Sequence, residues 1–230
     1  VYHHDHSNFL IPFEFIYRNS IPKGASFRKR VESGSINLKE YGLKKMPLPN
    51  EKLSLPILDV STKLEEQDRY LTWNEVLNLN IVNQDDINNI KKTLIFADEL
   101  INQEVKKIGL ENEDGKIELA FDPERRLMLV DVLGTPDECR FTWQGIHLSK
   151  EVAREYYRKS SWYEEVIQIK SRYSVGWKYY VKSQPQPLPK KLLQAIGWLY
   201  QRIAMDLTER EWYTGVPSLE KIVEEIKEFV

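Results

Sequence analysis

The alternation of apolar and polar positions divides the chain into strand-like and helix-like stretches. Leu127-Met128-Leu129-Val130 is a short apolar run, closed by Asp131 and a Gly134-Thr135-Pro136 turn. That is the pattern of a buried strand. Lys116 to Asp122 alternates ahead of it and predicts a hairpin through Pro123–Arg126, with Ile117, Leu119 and Phe121 on one face. Phe9 to Arg18 is apolar and aromatic, with Glu14 inside it and Arg18 at its end. Its strand propensity is high, and Pro12 requires an edge position or a bulge. Leu55 to Val60 reads as another strand, after a loop-rich connector over 31–56 that has room for short strands.

A 3.6-residue period replaces the alternation elsewhere. Leu71–Leu79 predicts a helix, with Thr72 as N-cap and Glu75 completing a capping box. Ile87, Ile90, Leu94, Ile101 and Val105 set one stripe of an amphipathic helix over Asp85–Ile108, stopped by Gly109. A further helix opens at Ser149. Two more run over Pro189–Leu207 and Pro217–Val230, with stripes suited to core or oligomer packing, so a homo-oligomer stays open. Tyr173–Val181 is aromatic and strand-like, and Gln184–Pro189 is a proline-rich break.

Charge narrows the function. The 33 Lys and Arg nearly balance the 35 Asp and Glu, for a net charge of -2. No global field recruits nucleic acid or a membrane, and any basic site must be a local cluster. One cysteine, Cys139, excludes a disulfide framework and fits a reducing, cytoplasmic setting. No stretch is long and apolar enough to span a bilayer. There is no phosphate-binding G-x-x-x-x-G-K-[ST] loop. His3, His4 and His6 with Asp5 offer metal-ligand types, but adjacent histidines near a terminus more often form a solvated segment.

Candidate chemistry gathers at strand ends. Asp131, Asp137 and Arg140 surround the turn after the apolar run, although an exposed Asp137–Arg140 pair would be unremarkable. Arg18 is followed by a loop with Gly24 and Ser26 and by the basic Lys29-Arg30. Backbone donors, a hydroxyl and a guanidinium there suit a phosphate. An ordinary hairpin with a basic exit accounts for the same residues.

Several motifs together resemble the SAICAR synthetase (phosphoribosylaminoimidazole-succinocarboxamide synthase) family. The segment VDVLGTPDECRFTW is similar to that family's acidic strand end, T/S-P-D and R-[FL]-W. Pro12, Glu14, Arg18, Gly24, Ser26 and Lys29-Arg30 resemble its P-x-E-x-x-x-R-x-x-x-x-G-S stretch and basic pair, with two extra residues before Ser26. Ser61-Thr62-Lys63 followed by Asp68, and Ser149-Lys150 followed by Arg154, match two further motifs. The family's D-x-K-x-E-F-G strand, set over Lys116 to Asp122, fits poorly there.

The resemblance implies an α+β, ATP-grasp-related fold, with a mixed or antiparallel sheet flanked by helices. It implies one domain over 1–183 and a helical region over 184–230. It implies a purine-biosynthesis ligase that joins carboxyaminoimidazole ribotide and L-aspartate with ATP and Mg2+, through an acyl phosphate. Arg18, Ser26, Asp68 and Arg154 are then substrate-binding, with Arg18 and Arg154 converging on one anion. Lys63, Asp137 and Arg140 are catalytic, Leu10 and Glu14 meet the nucleotide, and Asp131 with Glu118 holds the metal. The alternative is a non-ligase paralogue that binds a phosphorylated ligand. The family's N-terminal β lobe, with its G-K-x-K segment, has no counterpart in the sequence. The chain is therefore expected to be part of a longer protein or to receive the lobe from another chain, leaving Leu10, Phe13 and Leu129 unusually exposed.

Overall fold

A computed structural model of the chain describes residues 2–49, 51–65, 68–173 and 175–230. The chain divides into two compact units, 1–106 with 111–141 and 107–110 with 142–230. The expected boundary at 183/184 falls inside the second.

The first unit is built on an antiparallel sheet. Its strands are β1 (Phe9–Arg18), β2 (Ile57–Thr62), β3 (Tyr70–Leu71), β4 (Glu111–Phe121), β5 (Leu127–Val130) and β6 (Cys139–Trp143). β1 lies between β2 and β4, β3 extends β2, and both β5 and β6 pair with β4. Pro12 is tolerated in this central strand because the β1–β4 register slips between Leu10 and Glu14, so the bulge is the feature that forms. β4 begins five residues before the expected Lys116, and this longer strand brings Asp114 into the sheet.

Alternation then sorts the side chains. Phe13, Phe15 and Tyr17 share a face with Val60, Ile117 and Leu119, and all are buried. The same unit contains α3 (Gln84–Lys107), whose Ile87, Ile90, Leu94 and Ala97 are buried and whose Asp98 accepts from Asn19, just past β1, at 2.6 Å. Phe15 stacks parallel to Trp73 of α2 (Trp73–Asn78), at 6.2 Å. The Thr72–Glu75 capping box starts α2 as expected. Gly115 allows the closest approach of β1 and β4, where a Cβ would collide with the Tyr17 hydroxyl.

The connector between β1 and β2 holds α1 (Ser26–Glu32) and a 3-10 turn at Leu38–Tyr41, and no strand among its described residues. Ile21, Ala25, Phe27 and Ile57 form a small separate core there. β5 departs from expectation. It is a strand, yet Met128 and Leu129 are 45% and 41% exposed. It pairs with β4 on one side only, and its short apolar run reaches beyond the core. Of the three residues expected to be exposed, Leu129 is, Leu10 is half-buried and Phe13 is 2% exposed.

In the second unit β7 (Ile146–His147) pairs with the end of β6. α4 (Glu151–Arg158) follows, and its first N–H groups are met by Ser149, whose hydroxyl accepts from Glu151 N at 3.2 Å. α5 (Ser161–Arg172) has no counterpart in the sequence reading. The aromatic run expected as a strand over 173–181 instead carries a 3-10 turn at Trp177–Tyr180. α6 (Lys190–Thr208) and α7 (Leu219–Lys227) pack through Leu192, Leu199, Ile203, Ile222, Val223 and Ile226, all buried. No helix among the described residues is long and apolar enough to cross a membrane.

Candidate active site

The second face of the first unit's sheet is charged. Glu14, Ile16 and Arg18 of β1 pair with Glu118, Lys116 and Asp114 of β4, and Glu14 and Ile16 also pair with Ser61 and Asp59 of β2. All of these side chains point one way. A row of ionised groups on a buried sheet face is expensive unless every member is paired. Two linked clusters provide the pairing.

The first surrounds Arg18, which is 1% exposed. Its Nε donates to Asp59 at 3.0 Å and its Nη1 to Asp114 at 3.1 Å. Its Nη2 lies 3.2 Å from the Tyr70 hydroxyl and 3.4 Å from Ser26 Oγ. Burial alone would lower the Arg18 pKa, but Asp114 and then Asp59 override it and hold the guanidinium above its ordinary value. Arg140 forks onto Asp114 at 2.7 and 2.6 Å. Arg30 contacts Asp59 and stacks on the Tyr70 ring at 3.8 Å. The Tyr70 and Ser26 hydroxyls are 2.6 Å apart. Three guanidinium groups thus surround two carboxylates, an excess of positive charge that suits an anion. Glu113, next along β4, is pushed up to about 7 by burial and by Asp114.

The second cluster lies further along the same face. Lys63 contacts Glu118. Lys116 Nζ reaches Glu14 at 2.5 Å and Glu138 at 3.2 Å. Burial opposes the Lys116 charge, yet its bond to Glu14 and the field of both carboxylates raise its pKa. Beyond Glu14 the face becomes apolar, with Leu10 paired to Ala120 and Ala120 to Met128.

Asp131 follows the rung that pairs Val130 with Glu118. It is exposed, with a left-handed backbone at φ 64°, a turn conformation that aspartate adopts more readily than most residues. Asp137 and Asp68 are also exposed. No group of three or more His, Cys, Asp or Glu suited to a metal ion occurs among the described residues, the N-terminal histidines included. Magnesium needs only one or two protein carboxylates when phosphates and water complete its shell. Glu118 of β4 and Asp131, the residue that follows β5, offer two such carboxylates.

The structure therefore brings Glu14, Arg18, Ser26, Lys63, Glu118 and Arg140 to one face. Arg154 lies in the other unit, exposed on α4, where it pairs with Glu151 at 3.1 Å. Asp59, Tyr70 and Asp114 were absent from the site read from sequence. The signal for Asp114 was present as Asp114-Gly115-Lys116-Ile117-Glu118, charges at every second position. These residues meet the D-x-K-x-E spacing, two positions ahead of where the sequence reading set it, and the poor fit noted there is withdrawn.

The first unit is thus an α+β unit whose antiparallel sheet carries a paired row of charges, with three guanidinium groups around two carboxylates at one end, a combination suited to binding an anion. Over residues 7–170 the chain matches the profile of the SAICAR synthetase family. It is 44% identical over 96% of its length to a putative phosphoribosylaminoimidazole-succinocarboxamide synthase of Archaeoglobus fulgidus, and spans 65% of that relative. It is 33% identical to the corresponding synthase of Thermoplasma acidophilum, over 90% of this chain and 70% of that one. The chain belongs to the SAICAR synthetase family. The fold agrees with a SAICAR synthase from Saccharomyces cerevisiae complexed with SAICAR, at a TM-score of 0.64, 19% identity, and coverage of 90% of this chain and 63% of that one. It also resembles a SAICAR synthetase in complex with ADP, at a TM-score of 0.59, 20% identity, and coverage of 91% and 66%.

Proposed function

We propose that the protein is an ATP-dependent amide-forming ligase of purine biosynthesis, acting in the cytoplasm. A carboxylate oxygen of carboxyaminoimidazole ribotide attacks the γ-phosphorus of ATP, giving an acyl phosphate and ADP. The amine of L-aspartate then attacks the acyl carbon, inorganic phosphate leaves with the C–O bond, and the amine releases a proton. The product is SAICAR. The observation that carries this reading is the row of alternating charges on one sheet face, in a chain of this family.

Each residue takes a role from its place in the row. Arg18, braced by Asp59 and Asp114, presents Ser26 and the outer guanidinium groups to the ribotide phosphate, with Asp68 at the cleft; Arg154, in the second unit, keeps the substrate-binding role that its motif carries in this family. Arg140 and Asp137 orient L-aspartate and the reacting carboxylate. The apolar strip at Leu10 lies under the adenine, with Glu14 beside it. Asp131 and Glu118 would hold magnesium, which screens the phosphate charge when bound. Lys63, beside Glu118, would supply a positioned cation for the transferred phosphoryl group, which stabilises the transition state.

Incubation with ATP, L-aspartate and the ribotide tests this reading. SAICAR formation with equal ADP release is expected. Ribotide binding with no turnover would make the protein a non-ligase paralogue instead.

A further inference from the structure

The charge balance of the whole chain conceals a strong local imbalance. Between Glu165 and Asp206 lie forty residues without an aspartate or glutamate. Lys170, Arg172, Lys178, Lys182, Lys190 and Lys191 all fall in that interval. Lys191 pairs with Glu228, and Lys182 lies beside Glu165. Aromatic side chains interleave with the others. Lys170 and Lys178 sit over the Trp177 ring, at 4.2 and 5.8 Å from its centroid. Tyr173 and Tyr180 stack in parallel at 4.0 Å, and Tyr179 is 91% exposed. Leaving an aromatic ring this open forgoes its burial energy.

We propose that the end of α5 and the Trp177–Tyr180 turn form a docking surface for single-stranded nucleic acid. Lysine and arginine neutralise phosphates, and open tyrosine rings stack bases whatever their sequence. Charge complementarity selects a polyanion. The aromatic geometry selects a strand of bases over an anionic membrane. A lipid anchor needs an indole free to enter the interface, and here the Trp177 faces are held by two ammonium groups. The proposal does not depend on the ligase reading.

Fluorescence anisotropy with a labelled 12-mer of oligouridylate tests the proposal on the purified protein. Saturable binding at micromolar protein is expected in low salt, with quenching of intrinsic fluorescence. Neutralising about four phosphates on a single strand gives a log–log salt slope of roughly -3. Tyr179→Ala should weaken binding about tenfold through lost stacking. Lys170→Gln with Lys178→Gln should weaken it and flatten the slope by roughly 1.4. Lys52→Gln, in the other unit, should change nothing. Three results would overturn the proposal: no saturable binding in low salt, equal binding by the Tyr179 and lysine variants, or preference for phosphatidylserine vesicles over the oligonucleotide.

Discussion

The two faces of the first unit's sheet are buried for different reasons. Behind Phe13, Phe15, Tyr17, Ile117 and Leu119 the removal of apolar area from water stabilises the fold, at about 25 cal/mol per Å2. On the face of Arg18, Asp59, Asp114, Lys116 and Glu118 the same burial removes water from ions, which costs several kcal/mol per group before pairing offsets it. Hydrophobic residues could fill the charged face at no loss of stability. Its ions are better explained by a ligand that needs them, and the comparison separates what holds the molecule together from what it is for.

The largest effect that sharpens this contrast is on the apolar side. Phe15→Ala should cost about 3–5 kcal/mol, read from the urea midpoint. The substitution empties the space beside Trp73 and touches none of the charged row. SAICAR formation per folded molecule should therefore be unchanged. A loss of turnover at full folding would break the separation of the two faces.

Arg140→Lys probes the charged side and should act in the opposite way. Held by its fork on Asp114, Arg140 offers its guanidinium to the ligand's carboxylate, a contact that lysine cannot reproduce and whose loss is worth about 1.5–3 kcal/mol. Calorimetry should show weaker ribotide binding by a similar amount. An affinity equal to that of the unaltered protein would remove Arg140 from the site.

A smaller effect comes from two carboxyls at the margins of the sheet. Asp98 of α3 accepts from Asn19 at 2.6 Å and Asn102 at 2.8 Å, yet burial pushes it up to about 6. Glu113 stands at about 7. Between the ordinary carboxylate range and these values the folded state holds protons that the unfolded chain has released. Their stabilisation is thus complete at low pH and is lost as pH rises from about 4 to about 7. Thermal midpoints across that range should fall less steeply in Asp98→Asn, and an unchanged slope would show that Asp98 does not titrate there.

Much of the fold was legible from periodicity. The stripe of α3, the capping box of α2, the stripes of α6 and α7 and the strand β1 all follow local rules that tertiary contacts reinforce. The site was legible only in part. Glu14, Arg18, Lys63 and Arg140 stood out through motif spacing, while Glu118 was chosen and Asp114 missed because the D-x-K-x-E motif was set two positions too far along. Asp59 did not stand out, because a lone acid in a strand looks like a solvated position until its cross-strand neighbour is known. The Tyr173–Val181 run was misread because its aromatic residues satisfy strand propensity while stacking on one another. β5 was read as buried because an apolar run does not reveal how many neighbours its strand will have.

The central claim is that the charged face serves a ligand and not stability, and Lys63 with Glu118 tests it most directly. Removing both charges together, as Lys63→Met with Glu118→Gln, leaves neither ion buried alone. Such replacement is often neutral or stabilising. Turnover with ATP, L-aspartate and the ribotide should be measured on the double variant at a temperature where it is fully folded. The account predicts a thermal midpoint at or above that of the unaltered protein and a loss of SAICAR formation of at least about a hundredfold, the scale of one positioned electrostatic group. A destabilised variant with unaltered turnover per folded molecule would contradict it.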